Sequence, residues 1–207
     1  MKTVPVLLVA TRNEGKLKEL RELLGELPFD LQDLGDFPSI QPVPETGQTF
    51  AENASLKAVG YARQAGLLTL ADDSGLEVDA LGGAPGVLSA RYGNGYASDD
   101  ERTAKLLNEL SQIPDAVRSA RFVSTIAIAD KGAKIIHVGA GICEGQIAHA
   151  PNGFHGFGYD PVFIPSGFNE TFAQLGAEVK NRISHRAKAL VDAVDFLRSL
   201  TRASSTS

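Results

Sequence analysis

The chain has 207 residues, of which 43% are hydrophobic and 22% are charged, a composition typical of one globular domain with a sizeable core. Its formal net charge of −5, without a block of lysine or arginine, argues against a large nucleic-acid interface. The single cysteine, Cys143, excludes an internal disulfide and a zinc site built on clustered cysteines, and it is typical of a reducing compartment.

The amino-terminal segment is a poor match to a secretory signal. Pro5 interrupts its short apolar run, and Arg12-Asn13-Glu14 follows without a small-residue cleavage pattern. No other segment approaches the roughly 20 apolar residues that a membrane span needs. The sequence therefore predicts a cytoplasmic protein without a membrane or nucleic-acid partner. It forms one domain over residues 1–202, with a disordered tail over residues 203–207.

Strand and helix patterns alternate in the first half of the chain. Val4 to Ala10 has the composition of a buried strand, and Glu14 to Leu24 carries leucines at helical spacing. Thr49-Phe-Ala-Glu52 has the spacing of a capping box and predicts a helix through Ala65. Leu67 to Ala71 predicts the next strand, which leads to a pair of aspartates.

The second half is richer in strand signals. Its predicted elements are a helix opened by the capping box Ser98-Asp-Asp-Glu101, strands over Arg121 to Ala129 and Lys134 to Ile142 joined by a hairpin at Asp130 to Gly132, a short strand around Pro161 to Ile164, and a closing helix from about Ser184 to Leu200. Alternating strands and helices with a long hairpin predict an α/β fold with a mixed sheet.

The turn Thr11 to Lys16 joins the first strand to the first helix. Free N–H groups and the dipole at a helix N-terminus suit a phosphate, and Lys16 can add a point charge. The segment is not a Walker A loop, because Leu17 follows Gly15-Lys16. The alternative is a plain helix start with Asn13 as N-cap.

Asp72 and Asp73 directly follow the apolar run of the third strand. One interpretation is an ordinary turn out of the strand, since Asp, Ser and Gly are common in turns. The other is a metal site at the carboxyl end of a strand, with Glu45 as a further carboxylate suited to Mg²⁺. Glu52, Asn53 and Lys57 lie on the intervening helix, where each alone is typical of a solvated residue.

The glycine-rich segment from Gly153 to Pro161 carries aromatic residues. Glycines allow a ligand to approach the backbone, and Phe157 or Tyr159 can stack on a planar base. The spacing is not that of a dinucleotide-binding G-x-G-x-x-G motif. The alternative is a hairpin-like turn packed by its own aromatic side chains.

Two cationic side chains fall in the first turn of the closing helix. Ser184 is a candidate N-cap, and His185 and Arg186 follow it at the end where the helix dipole disfavours cations. A docked anionic or polar ligand would relieve that conflict. The alternative is an exposed basic cluster that solvent screens.

Five stretches occur in an order that resembles one family. They are ATRNEGK, ETGQTFAENASLKA, ADDSGLEVDALGGAPGVLSARYG, GFGYDPVF and KNRISHRAKAL. Together they resemble the inosine/xanthosine triphosphate pyrophosphatases, which act on noncanonical purine nucleoside triphosphates. The resemblance implies an elongated α/β fold with a mixed central sheet flanked by helices, two lobes and an active-site cleft between them. It also implies a homodimer and Mg²⁺-dependent hydrolysis of ITP, dITP and XTP to monophosphate and pyrophosphate, which removes damaged purines from the nucleotide pool.

Carried over by position, the resemblance implies a role for particular residues. Asp73 is the expected catalytic base, and Glu45 and Asp73 are the expected metal ligands. The expected substrate contacts are Thr11, Arg12, Asn13, Glu14, Gly15, Lys16 and Lys180 around the triphosphate, and Phe157, Gly158, Tyr159, Asp160, His185 and Arg186 around the nucleoside and base. Ser74 is a further expected substrate contact. The family commonly has glycine in place of Arg12 and often arginine in place of Asn152, which leaves the role of Arg12 open and Asn152 without a contact.

Two other functions remain open at this point. A related Maf-like pyrophosphatase would cleave modified or pyrimidine nucleotides instead. A nucleotide-binding regulator would bind without turnover, although paired carboxylates suited to a metal argue against it.

Overall fold

The structure, a computed structural model, describes residues 4–93, 98–115 and 117–203. Strands and helices alternate through these residues. The strands are β1 (Val6–Val9), β2 (Asp30–Asp33), β3 (Leu68–Val78), β4 (Ser119–Ala129), β5 (Ile135–Ile147) and β6 (Phe163–Pro165). The α-helices are α1 (Glu14–Leu24), α2 (Phe50–Ala65), α3 (Asp99–Ser111), α4 (Phe172–Ile183) and α5 (His185–Ala203).

One six-stranded sheet has the order β2-β1-β3-β4-β5-β6. β1 pairs in parallel with both β2 and β3, whereas β5 and β6 pair antiparallel. The predicted α/β class with a mixed sheet is therefore confirmed. β2 was not predicted, because its sequence DLQD has a single apolar residue, Leu31, and no β-branched residue.

The chain divides into two compact units. The first contains Met1–Asp73, Ser124–Gly141 and Arg186–Ser207, and the second contains Ser74–Val123 and Ile142–His185. The predicted tail begins at residue 203, but α5 continues through that residue, and residues 204–207 lie outside the described part of the chain. The single domain over residues 1–202 and the disordered tail stay predictions.

The first unit has a core on each face of β1. Leu7 and Val9 belong to one core, together with Leu20 and Leu24 of α1 and Leu197 of α5. Because side chains alternate along a strand, the residues between them must point to the other face. α1 and α5 therefore pack on one face of the sheet.

The opposite face of β1 packs on α2. Leu8 and Ala10 share a core with Ala54, Ala58 and Ala62, which recur at helical spacing along α2. Small alanine side chains allow this helix to approach the strands closely. The first unit is thus a sheet covered by helices on both faces.

Aromatic rings form the centre of the second unit. The ring of Phe163 lies 4.6 Å from that of Phe122 and 5.4 Å from that of Phe172, measured between centroids. Leu106 and Leu110 of α3 belong to the same core. This core positions β6 and the start of α4 around the glycine-rich segment.

Local sequence signals located several elements correctly. α1 has the predicted bounds, and the two capping boxes, at Thr49 and at Ser98, open α2 and α3 as expected. The hairpin turn is also present, since the Asp130 carboxylate accepts hydrogen bonds from the N–H groups of Gly132 and Lys134. Each signal depends on residues only a few positions apart.

The predicted end of the third strand is wrong. β3 continues through Asp72, Asp73 and Ser74 to Val78, so the aspartates lie inside the strand and not in a turn after it. Only β1 ends near them, because its last residue in register with β3, Val9, pairs with Leu70. Cationic partners of the aspartates override the turn preference of the Asp-Asp-Ser-Gly sequence.

The carboxyl-terminal helical region also differs from the prediction. α4 was not predicted, although Thr171 and Gln174 form a capping box at its start. Ser184, with extended backbone, separates α4 from α5. The non-helical backbone of Gly176 (φ 78°) interrupts α4 and breaks the apolar period that would have revealed it.

No helix in the described part of the chain combines the length and the apolar composition that crossing a membrane requires.

The core of the first unit predicts the effect of a truncation. Leu7→Ala, at a residue with 0% exposure, should lower the free energy of unfolding by about 2–5 kcal/mol, because it removes buried methyl groups and leaves a cavity. Urea unfolding followed by circular dichroism measures the loss. Val4→Ala is the control, since Val4 is 60% exposed and should change the value by less than about 0.5 kcal/mol. Equal losses would contradict the assigned core.

Candidate active site

Strand alternation separates the two neighbouring aspartates of β3. Leu70 belongs to the core beneath α1 and α5, whereas Ala71 belongs to the core beneath α2. By the same period, Asp72 faces the α1 and α5 side, and Asp73 faces the α2 side. The two carboxylates therefore have different partners and form two distinct clusters.

The Asp72 cluster consists of Asp72, Lys16, Arg186, Glu19 and Ser124. The Lys16 ammonium lies 2.7 Å from Asp72 Oδ2, and Arg186 Nε donates to Asp72 Oδ1 at 3.3 Å. Ser124 Oγ donates to the same oxygen at 2.7 Å. Arg186 also forms an ion pair with Glu19. Burial disfavours the charged form of Asp72, but Arg186 and then Lys16 outweigh it and hold its pKa well below the ordinary value.

Of the two cations in this cluster, Lys16 is the one whose charged form is less favoured. Burial lowers the pKa of its ammonium, and the attraction of Asp72 does not fully offset that effect. Nearby Lys57 and Arg186 lower it further. An anion that approached Lys16 would favour its charged form.

The Asp73 cluster consists of Asp73, Lys57 and Glu45. The Lys57 ammonium donates to Asp73 Oδ1 at 2.7 Å and to Glu45 Oε1 at 3.0 Å. Lys57 lies on the buried stripe of α2, and Glu45 lies in the segment that precedes this helix. One cation thus joins two carboxylates that are 28 residues apart in sequence.

The Asp73 carboxylate has the properties of a proton acceptor. Burial raises its pKa, and the opposing effect of Lys57 is smaller. Its Oδ2 atom has no hydrogen-bond partner among the residues that the structure describes. For Lys57 the balance is reversed, because the attraction of Asp73 and Glu45 outweighs burial and raises the pKa of the ammonium.

The carboxylates of the Asp73 cluster fit a hard divalent cation. Glu45 and Asp73 already converge on one positive group, and Asp73 Oδ2 is available as a further oxygen. Over residues 4–93, 98–115 and 117–203, no group of three or more His, Cys, Asp or Glu side chains is suited to a metal. Two carboxylates suffice for Mg²⁺ when substrate phosphates supply other ligands.

The Thr11 to Lys16 turn adopts the expected start of α1. Asn13 Oδ1 accepts from the Lys16 N–H at 2.9 Å, and the Asn13 N–H donates to Thr11 Oγ1 at 3.2 Å. Glu14 and Gly15 occupy the first two positions of the helix. Arg12 turns away to donate to the Ile40 carbonyl at 2.8 Å, a contact that ties this loop to the chain after β2.

In the second unit, the glycine-rich segment wraps around Asp160. Its Oδ2 atom accepts from the Phe157 N–H at 2.9 Å and forms an ion pair with Lys180. The Lys180 ammonium lies 4.5 Å from the centre of the Phe157 ring. A Cβ at Gly156 (φ 77°) would overlap the Asp160 carboxylate, so only glycine fits there.

Two further contacts fix this segment. Asp99, the first residue of α3, accepts from the Gly158 N–H at 2.6 Å. The Tyr159 hydroxyl donates to the Ser89 carbonyl at 3.1 Å. Tyr159 is thus buried in the core of the second unit, whereas Phe157 is half-buried.

Ser74 and His185 are also in the second unit. Ser74 is half-buried in β3. The His185 ring stacks on Phe122 at 4.7 Å with an interplanar angle of 13°. His185 and Arg186 are 4% and 1% exposed, so the alternative of an exposed basic cluster is wrong.

Three residues of the Asp72 and Asp73 clusters were not predicted from the sequence or were given no role in the site. Glu19 lies three residues after Lys16, a spacing that places both on one face of α1 and was an available signal. Lys57 was treated as a solvated residue, although its position on the apolar stripe of α2 indicated burial. Ser124 gave no signal, because serine is common in a strand of any kind.

Comparison with known proteins identifies related sequences. A model of the Ham1 family matches residues 7–196. A dITP/XTP pyrophosphatase of Desulforamulus reducens is 49% identical over 194 residues, which cover 94% of this chain and 96% of the relative. One of Geobacter sulfurreducens is 50% identical over 191 residues, with coverage of 92% and 96%.

A solved structure supports the same relationship. The HAM1 protein from Coxiella burnetii has a TM-score of 0.86 and 41% identity, and the match covers 94% of this chain and 99% of that one. The resemblance expected from the five ordered stretches is therefore confirmed.

The two clusters predict different stability effects for neighbouring aspartates. Asp72→Asn should lower the free energy of unfolding at neutral pH by about 3 kcal/mol, because it leaves buried cations uncompensated. Asp73→Asn should lower it by less than about 1 kcal/mol, because burial already disfavours the charge of Asp73 and Lys57 retains Glu45. Urea unfolding of the two variants tests this. A larger loss for Asp73→Asn would contradict the assigned environments.

Proposed function

Because the chain belongs to the Ham1 family, we propose that it is a nucleoside triphosphate pyrophosphatase. Its substrates are purine nucleoside triphosphates with altered bases, namely ITP, dITP and XTP, and its products are the monophosphate and pyrophosphate. The observation that carries the proposal is the Asp73 cluster, in which a buried carboxylate with a raised pKa lies beside Lys57 and Glu45. Relatives named dITP/XTP pyrophosphatases do not favour the Maf-like enzyme or the regulator without turnover.

Asp73 acts as the general base. A water molecule attacks the α-phosphorus, Asp73 accepts its proton, and the bond from the α-phosphorus to the bridging oxygen breaks. Pyrophosphate leaves with that oxygen. A raised pKa strengthens the Asp73 carboxylate as a base, and the hydrogen bond from Lys57 keeps that carboxylate oriented.

Glu45 and Asp73 are the residues that would hold Mg²⁺. When bound, Mg²⁺ supplies charge neutralisation for the triphosphate and for the leaving pyrophosphate. This proposal rests on the fit of two converging carboxylates to a hard cation. The Lys57 ammonium between them would then exchange one of its carboxylate partners for a phosphate oxygen.

Triphosphate contacts are assigned to the start of α1 and to lysines. Within the first unit, these are the turn from Thr11 to Gly15 and Lys16, which lies at the N-terminus of a helix. Lys180 of the second unit stays a prediction of the same kind, and Ser74 stays a predicted substrate contact. Arg12 donates one N–H to the Ile40 carbonyl, and a phosphate would bind other N–H groups of the same guanidinium.

Base contacts are assigned to Phe157, Gly158, Tyr159, Asp160, His185 and Arg186. Backbone N–H groups and cationic donors suit the 6-oxygen of hypoxanthine and xanthine, whereas the 6-amino group of adenine would face them as another donor. The Arg186 guanidinium is engaged by Asp72 and Glu19. A base contact from Arg186 would therefore be made beside these ion pairs or in place of one of them.

The homodimer and the cytoplasmic location expected from the sequence remain parts of the proposal. Light scattering coupled to size-exclusion chromatography tests the dimer, for which a single species of twice the 21.9 kDa chain mass is expected.

A substrate panel tests the proposed reaction. With Mg²⁺ present, ITP, dITP and XTP should be hydrolysed much faster than ATP, with pyrophosphate and phosphate measured separately. Removal of divalent ions by a chelator should abolish turnover, and Mg²⁺ should restore it, because the predicted ligands are carboxylate oxygens. Release of phosphate through a diphosphate intermediate, or preference for a pyrimidine nucleotide, would refute the assignment.

The role of Asp73 predicts a kinetic effect without loss of the fold. Asp73→Asn should lower kcat for ITP by about 10²-fold or more, since the amide cannot accept the proton. Ser124→Ala is the matched control, because it removes a contact to Asp72 while leaving the Asp73 cluster intact. A folded Asp73→Asn protein with kcat near that of the parent would show that another residue is the base.

A further inference from the structure

The buried face of α2 contains an unexpected amide. This face consists of Phe50, Asn53, Ala54, Lys57, Ala58, Tyr61 and Ala62, which recur every three or four residues. Lys57 has two carboxylate partners, but Asn53 is 0% exposed and its Nδ2 atom has no hydrogen-bond partner within the described residues. An apolar side chain of the same size would avoid that unsatisfied donor. Because the nitrogen makes no hydrogen bond with any described residue, the reason for an asparagine at this position must be sought in its side-chain oxygen.

That oxygen holds the segment before α2. Asn53 Oδ1 accepts from the Gly47 N–H at 2.8 Å, six residues earlier in the chain. The reversed amide orientation would place an NH₂ group against this N–H, so the hydrogen bond itself fixes which atom is the oxygen. The bond attaches the end of the Pro44–Gly47 segment to a helix that the core immobilises.

Gly47 fits closely against the same side chain. A Cβ at this position would lie 2.8 Å from Asn53 Oδ1, 3.0 Å from the Asn53 nitrogen and 2.6 Å from the Glu52 Cβ. Any side chain at Gly47 would therefore force the segment away from α2. The close approach of Gly47 and its hydrogen bond to Asn53 therefore act at the same contact, which we call the Gly47–Asn53 joint.

Glu45 lies two residues before this joint. Its carboxylate reaches Lys57, which is one helical turn after Asn53 on the same face of α2. The joint fixes the distance over which Glu45 must extend to meet Lys57 and Asp73. A shift of the segment by about 1 Å would separate the carboxylates of the Asp73 cluster, and misplacements of that size lower rates strongly.

We infer that Asn53 is a positioning residue that holds the Pro44–Gly47 segment on α2 and thereby places the Glu45 carboxylate beside Lys57 and Asp73. Asn53 touches neither substrate nor metal in this role. The inference rests on the proposed function of Glu45 as a group needed for hydrolysis.

A double-mutant cycle tests whether Asn53 acts through Glu45. Asn53→Leu retains the side-chain size but removes the oxygen, and we expect kcat for ITP to fall at least about 10-fold, with less change in KM. Glu45→Gln should lower kcat as well. In the Glu45→Gln background, Asn53→Leu should lower kcat less than about 2-fold further, because residues that act together are not additive.

Two other measurements separate positioning from general stability. Hydrogen exchange of the Gly47 amide in the protein without metal or substrate should become at least about 10-fold faster in Asn53→Leu. Gly47→Ala disturbs the same joint from the other side and should reproduce the loss of kcat and its non-additivity with Glu45→Gln. Gly47→Ala also keeps the inference testable if Asn53→Leu does not fold.

Ala58→Gly is the matched control on the same buried face. It weakens α2 by removing a core methyl group and adding backbone freedom, and it leaves both Asn53 and Gly47 in place. Its effect on kcat should be small and additive with that of Glu45→Gln.

The outcomes separate this inference from the proposed function. Additive losses for Asn53→Leu and Glu45→Gln, or unchanged kcat in both Asn53→Leu and Gly47→Ala when Glu45→Gln is impaired, would overturn the positioning role alone. Full activity of Glu45→Gln would show that the proposed role of Glu45 is wrong, and the positioning role would fall with it.

Discussion

The two-residue period of β3 determines how this protein accommodates adjacent buried aspartates. If two neighbouring carboxylates were buried on the same face of the sheet, they would repel each other with little water to screen their charges. On opposite faces, each obtains its own cations: Asp72 from the first turns of α1 and α5, and Asp73 from the middle of α2. The helices that cover the sheet therefore supply charge as well as apolar surface.

This separation gives two identical side chains different chemistry. Arg186 and Lys16 outweigh burial at Asp72 and lower its pKa, whereas burial outweighs Lys57 at Asp73 and raises its pKa. A carboxylate that stays ionised suits a fixed electrostatic anchor, and one with a raised pKa suits a proton acceptor. The position of the proposed catalytic base within the pair thus depends on which helix packs above each aspartate.

Features that depend on residues close together in the sequence could be predicted, whereas features that depend on contacts between distant residues could not. The capping boxes at Thr49 and Ser98 located two helices because both partners lie within one turn. The aspartates were taken for the end of a strand because their turn preference is local, whereas Arg186 is 114 residues from Asp72. The ordered motifs identified the candidate residues, but burial of Arg186 and the link through Lys57 required the fold.

The balance of charge in the two clusters bears on how a chain with a net charge of −5 would bind the triphosphate of the proposed substrate. The Asp72 and Asp73 clusters contain three cations, Lys16, Lys57 and Arg186, and four carboxylates, Glu19, Glu45, Asp72 and Asp73, so their formal sum is −1.

Helix N-termini add only partial positive charge to this sum. A polyanion would therefore meet no net attraction from these side chains, even though individual lysines are well placed. A divalent cation held by Glu45 and Asp73 would change the formal sum from −1 to +1. Under the proposed function, the carboxylates paired with Lys57 thus give a second reason to expect a metal, besides the chemistry that the metal would supply.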